Sequence, residues 1–195
     1  MSPISALENI HQKGQFGDCE GKSEKNLIKI SEIKNLIIVQ IVQYKNSNLL
    51  CEEIKIDNLK LSSKVLSVTS NENTRILWNG PRNWLIMTNK KETLSEISKN
   101  FSEKDFAVTD ISHSKSIIEL EGDQAEEVLK KGCPFNFNEL HKNNCLNSTF
   151  NGMSIIVDMT NDNTDTFRIF ALRSFGESLY HSLTDASLEF GYVGK

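Results

Sequence analysis

The sequence lacks an excess of basic residues. It has 22 lysines and arginines against 26 aspartates and glutamates, so its net charge is −4 and its pI is about 5.6. Proteins that bind nucleic acids or anionic membranes gain much of their affinity from Lys and Arg side chains. The charge balance therefore argues against a nucleic-acid or membrane partner.

Long apolar runs are also missing. No stretch approaches the roughly 20 apolar residues that a membrane-spanning helix needs. The first 16 residues do not combine a basic segment with an apolar one, as a secretory signal does. We therefore expect a cytoplasmic protein with reduced thiols.

Motifs that hold metals or dinucleotides are absent as well. The four cysteines, Cys19, Cys51, Cys133 and Cys145, form no CxxC pair and none has a histidine at zinc-finger spacing. No GxGxxG follows a predicted strand. We expect this chain to hold no cofactor and no metal.

What the sequence does contain is typical of a globular protein. It is 38% hydrophobic and 25% charged, and a chain of this length buries roughly 70% of the surface that its unfolded form exposes. Residues 1–26 are polar and contain three glycines. We predict that they form an N-terminal arm, either disordered or fixed on a partner, ahead of a single domain at 27–195.

The first part of this domain has strand patterns and a helix. The β-branched run at 36–43 predicts a buried strand. A short helix is expected at 49–54. The segments 75–78 and 84–88, joined by the turn residues NGPRN, predict a β-hairpin, and apolar spacing predicts a helix at 91–101.

The second part repeats this order. Strands are predicted at 106–111, 115–120, 153–159 and 166–172, helices at 123–132 and after a capping Ser174, and a loop at 133–149. Each part thus has the order strand, helix, strand, strand, helix, which is a split βαβ arrangement. We predict an α+β fold of two intertwined βαββα, ferredoxin-like halves at about 27–105 and 106–195.

Asp110, Ser112 and His113 resemble a nucleophile set only in composition. Neighbouring side chains on a strand point to opposite faces, whereas a nucleophile and its base must converge. We therefore predict no catalytic residue here, and interpret Asp110 and Ser112 as caps of a turn between strands. Cys133 and His141 allow a thiol pair, but a cysteine that closes a helix is the favoured interpretation.

Four residues are candidate interface or anion contacts: Phe16, Arg82, Trp84 and Arg173. Arg173 lies between a strand and a helix, where it could hold a carboxylate, a partner chain or Glu177. Trp84 and Trp78 flank the hairpin turn and suit either the core or an interface. Arg82 lies in that turn, which is a possible docking loop.

Several segments, spread over nearly the whole chain, resemble the gamma subunit family of heterotetrameric sarcosine oxidases. They are SPISAL (2–7) with GQFG (14–17), WNGPRNWLI (78–86), VTDISHS (108–114), LEGDQA (120–125), LKKGCP (129–134), FALRSF (170–175) and EFG (189–191). The segments from 108 to 134 also resemble folate-dependent aminomethyltransferases of the glycine-cleavage type. This implies a fold like their folate-binding domain.

The resemblance implies a function. Such an oxidase demethylates sarcosine to glycine with release of hydrogen peroxide and passes the one-carbon unit to tetrahydrofolate. The gamma chain would be a non-catalytic member that binds alpha, beta and delta subunits. FAD, FMN, NAD, zinc and tetrahydrofolate would belong to those other chains. The alternatives are a stand-alone folate-binding or aminomethyltransferase-like module, and a scaffold with another partner.

Overall fold

The computed structural model describes residues 4–195, apart from the side chain of Glu52. Positions 1–3 of the predicted arm, including Ser2 and Pro3 of the resemblance, lie outside the described residues. The strands are β1 (Gly14–Phe16), β2 (Ile28–Glu32), β3 (Ile37–Gln43), β4 (Lys55–Ile56), β5 (Leu59–Lys60), β6 (Val68–Ser70), β7 (Thr74–Gly80), β8 (Asn83–Thr88), β9 (Phe106–Asp110), β10 (Lys115–Glu121), β11 (Asn144–Phe150), β12 (Met153–Asn161), β13 (Thr166–Leu172) and β14 (Tyr192–Gly194). The α-helices are α1 (Glu92–Asn100), α2 (Ala125–Lys130) and α3 (Gly176–Ser187).

The chain forms two compact units. Unit 1 comprises the described residues up to Lys34 together with His113–Lys142 and Leu146–Lys195, and unit 2 comprises Asn35–Ser112 and Asn143–Cys145. Each unit has a sheet and helices of its own. The mixed composition confirms the predicted α+β class.

Unit 1 contains a seven-stranded sheet in the order β1-β14-β2-β10-β13-β12-β11. Strand β14 pairs in parallel with β2, whereas β2, β10, β13 and β12 pair antiparallel in turn. Helices α2 and α3 contact each other, and α3 also contacts β10 and β13. Strands β10, β12 and β13 each have at least three consecutive buried residues, and α2 and α3 bury apolar residues as well. An apolar core thus lies between sheet and helices.

Unit 2 contains a five-stranded antiparallel sheet in the order β6-β7-β8-β3-β9, and a small β4-β5 hairpin. Helix α1 follows β8. The buried core residues of this unit are Val39, Ile41, Cys51, Ile56, Leu61, Ile76, Trp84, Ile86, Ile97, Phe101 and Phe106. The predicted hairpin at 75–88 and the predicted helix at 91–101 are both confirmed to within a few residues.

The predicted halves at 27–105 and 106–195 do not coincide with the two units. Strand β9 lies in the second predicted half but pairs with β3 in unit 2. Strand β2 lies in the first predicted half but pairs with β10 in unit 1. Each predicted half thus contributes a strand to the unit that is formed mainly by the other half. The unit to which a strand belongs is decided by its pairing with segments that are distant in sequence.

The predicted arm is another correction for the residues described. Leu7 is completely buried, and β1 adds a strand to the sheet of unit 1 by pairing with β14. Ser5 donates a hydrogen bond to the Glu32 carboxylate. The sequence predicts a segment that is disordered or held by a partner. In the structure it packs on its own chain, because its few apolar side chains are in contact with unit 1.

Two further expectations differ from the structure. The predicted loop at 133–149 contains β11, the strand at the edge of its sheet. The helix expected at 49–54 is only the 3-10 turn Cys51–Glu53. Both segments are rich in residues that do not follow a helix or strand period, and their conformation is set by neighbouring strands.

Among the described residues, no helix combines the length and the apolar character that crossing a membrane requires.

Candidate functional site

The site that brings candidate residues together is an apolar groove beside the β7-β8 hairpin in unit 2. Strand β7 leads to Gly80 and β8 begins at Asn83, and these two residues are paired. Pro81 and Arg82 therefore form a two-residue turn. Arg82 has a φ of 57°, and the combination of Pro followed by a residue of positive φ is that of a type II turn.

The Arg82 side chain is fixed by a backbone contact. Its guanidinium donates a hydrogen bond of 2.9 Å to the Tyr44 carbonyl, and the Arg82 carbonyl accepts one of 2.9 Å from the Gln43 amide. The hairpin tip is thus attached to the end of β3. This orders an exposed loop that is otherwise held only at its two strands.

The groove has a volume of about 760 Å³. Its lining residues are Gln43, Leu49, Leu50, Cys51, Glu53, Lys60, Ser63, Val65, Trp78, Pro81, Arg82 and Trp84. Three of its apolar walls are exposed: Leu49 by 49%, Leu50 by 67% and Val65 by 60%. The groove is therefore an open apolar surface, of the kind that marks an interaction site in a globular protein.

The two tryptophans of the groove differ in exposure. Trp84 is 2% exposed and its indole N–H donates a hydrogen bond of 2.8 Å to the Ser62 carbonyl. Trp78 is half-buried. Trp84 thus belongs to the core and forms the floor of the groove, whereas Trp78 offers part of its ring to an occupant.

The remaining two candidates, Arg173 and Phe16, lie in unit 1 and do not line the groove. Arg173 belongs to the 3-10 turn Arg173–Phe175 that precedes α3, and its guanidinium donates to the Ile4 carbonyl. Phe16 of β1 stacks on Tyr192 at a centroid distance of 5.2 Å. Both residues therefore attach the N-terminal segment to its own unit.

Helix α3 begins at Gly176, after the 3-10 turn Arg173–Phe175, and lacks the side-chain cap that the sequence predicts from Ser174.

Asp110 and Ser112 form the predicted turn cap. The Asp110 carboxylate accepts hydrogen bonds from the Ser112 amide and hydroxyl, at 2.9 and 2.5 Å. The Ser112 hydroxyl oxygen also accepts from the Ile38 amide at 3.0 Å. These contacts bind both side chains to neighbouring backbone amides. The interpretation of Asp110 and Ser112 as a turn cap is confirmed.

Cys133 follows the end of α2. It is buried, and its amide donates to the Leu129 carbonyl at 2.9 Å as the helix closes. Its Sγ lies 3.2 Å from the Ser148 hydroxyl. Burial raises the pKa of the thiol, which opposes formation of a nucleophilic thiolate. Cys133 thus closes α2, which is the position that the favoured interpretation gave it.

No cluster of three or more His, Cys, Asp and Glu side chains suited to a metal ion occurs in the part of the chain that the structure describes. The exposed apolar walls of the groove, Leu49, Leu50 and Val65, are among the lining residues that sequence reasoning missed. The two adjacent leucines, which lie outside a periodic segment, are a sequence signal of this apolar surface. The helix predicted at 49–54, however, implies that at least one of them is buried.

The fold is shared with two kinds of solved structure. A chain of the "Heterotetrameric Sarcosine Oxidase from Corynebacterium sp. U-96 in complex with pyrrole 2-carboxylate" matches with a TM-score of 0.82 and 20% identity, covering 97% of each chain. The glycine cleavage system aminomethyltransferase T from Bartonella henselae matches with a TM-score of 0.63 and 15% identity, covering 88% of this chain and 49% of that one. The chain thus has an aminomethyltransferase-like fold that also occurs in an oxidase complex.

Sequence comparison narrows this class to one family. The model of the sarcosine oxidase, gamma subunit family matches residues 55–189, and the chain belongs to this family. Two relatives named sarcosine oxidase subunit gamma match, from Corynebacterium sp. strains U-96 (28% identical over 120 residues) and P-1 (30% over 125). The aligned regions span 60% and 61% of this chain and 58% and 59% of those relatives.

Proposed function

We propose that this chain is a non-catalytic gamma subunit of a heterotetrameric sarcosine oxidase. The observation that carries the proposal is the family match over residues 55–189, which includes both the groove hairpin and the Asp110–Ser112 turn. The other subunits, which we designate alpha, beta and delta, would perform the oxidative demethylation of sarcosine. This chain would support their assembly.

The geometry of the candidate residues favours a role in assembly. Asp110, Ser112 and Cys133 are engaged in local backbone and side-chain contacts, and Arg173 and Phe16 hold the N-terminal segment. The apolar groove, in contrast, exposes large side chains to solvent. FAD, FMN, NAD, zinc and tetrahydrofolate are accordingly proposed to bind to the other subunits.

Coexpression with the three other chains tests the proposal. We expect a stoichiometric complex that elutes as one species in gel filtration and oxidises sarcosine with release of peroxide. Omission of this chain should reduce the yield of assembled complex. Elution of this chain apart from the other three under all conditions would contradict the proposal.

A second measurement addresses catalysis and ligand binding by the chain alone. We expect the purified chain to show neither sarcosine oxidation nor affinity for tetrahydrofolate below the millimolar range. Tight tetrahydrofolate binding would instead favour the stand-alone folate-binding or aminomethyltransferase-like module.

A further inference from the structure

The groove of unit 2 has two notable features. The first is the exposure of its apolar walls, Leu49, Leu50 and Val65. Burial of such side chains stabilises a fold, so leaving three of them largely in water around one concavity forgoes that stabilisation. Contiguous exposed apolar surface of this kind marks interaction sites.

The second feature is a positive φ at one lining residue of the groove and at the neighbour of another. Seven described residues other than glycine have a positive φ, and five of them are asparagine or aspartate, which tolerate it. The remaining two are Leu66, with a φ of 63°, and Arg82, with a φ of 57°. Arg82 lines the groove and Leu66 follows the lining residue Val65. The positive φ of Arg82 belongs to its type II turn, whereas that of Leu66 is backbone strain of the kind found at functional sites.

The walls of the groove indicate what kind of occupant it takes. A small molecule would fill the concavity but leave the rim formed by Leu50 and Val65 in water. A protein surface covers both the concavity and the rim, and seats an apolar or aromatic anchor against Trp78 and Trp84.

The charged residues of the lining indicate the sign of the partner. The described lining side chains include two cations, Lys60 and Arg82, and one carboxylate, Glu53. All three are exposed. An acidic group beside the anchor residue would thus meet a lining with a net positive charge.

We propose that this groove is the docking site for a segment of another oxidase subunit that presents an apolar or aromatic anchor flanked by a carboxylate. This inference rests on the proposed function and names the surface through which the chain binds its partner subunit. The two tryptophans of the chain both line the groove, so fluorine labels on tryptophan report on it directly.

The test uses the full chain labelled with 5-fluorotryptophan and the complex of the other three subunits. On association, we expect the ¹⁹F resonance of the half-buried Trp78 to shift more than that of Trp84. Leu50→Glu should weaken association at least tenfold, the size of effect seen when an interface anchor is lost. Leu94→Glu is the matched control, because Leu94 is an exposed leucine of α1 in the same unit, outside the groove. It should leave the affinity within about twofold.

The charge of the partner is tested by a pair of opposite substitutions. Lys60→Glu should weaken association and increase its dissociation rate, whereas Glu53→Lys should leave it unchanged or strengthen it. Weakening by Glu53→Lys to the same degree as by Lys60→Glu would overturn the acidic partner.

The possible failures are distinguishable. If the wild-type chain does not associate with the other subunits, the proposed function itself fails. If it associates but Leu50→Glu binds as tightly as Leu94→Glu, the groove proposal is overturned while the function stands. A Trp78 shift produced in the isolated chain by submillimolar tetrahydrofolate would assign the groove to a small ligand and also overturn the proposal.

Discussion

Close packing around single glycines holds the N-terminal segment of unit 1. Gly17 has a φ of 79°, and a Cβ placed on it would lie 2.8 Å from the Leu188 Cα and closer still to the Leu188 carbonyl oxygen. Its amide neighbour, Asp18, donates to that same carbonyl at 2.8 Å. Only a residue without a side chain fits between the N-terminal segment and the end of α3.

The first prediction concerns this glycine. Gly17→Ala should destabilise the chain by roughly 2 kcal/mol or more, because a left-handed backbone costs an alanine about 1–2 kcal/mol and the methyl group also collides with the backbone of Leu188. Gly21→Ala is the control, since Gly21 has a φ of 71° with nothing within 4 Å of its added Cβ. Gly21→Ala should lose only the free energy that a left-handed backbone costs an alanine. Equal shifts of both urea midpoints would contradict the packing argument.

A second residue-scale prediction concerns Asp57. Hydrogen bonds from Lys90, and then from Asn71 and Thr74, lower the pKa of this carboxyl below its ordinary value of 3.8. Because the folded pKa is lower than the unfolded one, ionised Asp57 stabilises the fold above about pH 3.8. This contribution is lost as the pH falls through the folded pKa.

The measurement compares urea midpoints of the wild type and Asp57→Asn between pH 7 and pH 2.5. We expect the variant to be less stable at neutral pH and the difference to vanish below the folded pKa. Glu103→Gln serves as control, because Glu103 is exposed and has no ion pair within the described structure. A difference for Asp57→Asn that does not change with pH would refute the ionic origin of the effect.

At the scale of elements, the N-terminal segment behaves as part of unit 1. Leu7 is completely buried while Ile4, three residues earlier, is 72% exposed. Leu7→Ala should therefore cost about 2–5 kcal/mol of unfolding free energy. Ile4→Ala should change it by less than about 0.5 kcal/mol. Chemical denaturation of both variants checks this, and a small effect of Leu7→Ala would mean that the segment does not contribute to the fold in solution.

Local patterns predicted those elements whose own sequence has a regular apolar pattern or is bounded by turn residues. The β7-β8 hairpin has turn residues between two apolar strands, and β13 was predicted with its observed bounds, 166–172. Strand β11 was missed because its sequence, NCLNSTF, has no alternation of apolar and polar residues, and its place is set by the adjacent strand β12. The burial of Leu7 likewise depends on a surface that distant segments build.

At the scale of the whole molecule, the predicted class and family are confirmed, but the site could be predicted only in part. Arg82 and Trp84 were selected from the turn sequence, and they do line one groove. The exposed walls at Leu49, Leu50 and Val65 escaped prediction, because the exposure of an apolar residue depends on which segments cover it. The division into units also escaped prediction, because it depends on strand pairing between distant parts of the chain.

The cysteines give a prediction at this scale. All four are described and form no disulfide; Cys19 is half-buried and the other three are buried. We expect a thiol reagent at pH 8 to label Cys19 rapidly in the native chain, and Cys51, Cys133 and Cys145 only on unfolding. Mass spectrometry of the labelled peptides provides the measurement. Native-state labelling of Cys133 as fast as that of Cys19 would contradict its burial.

Strand β14 lies between β1 and β2 in the sheet of unit 1. Its residues, 192–194, are synthesised long after both neighbours. During translation, β1 has no strand beside it to pair with, and the inner edge of β2 stays open. The N-terminal segment therefore cannot take its final place until residues 192–194 have been synthesised, and closure of this sheet has to wait for β14.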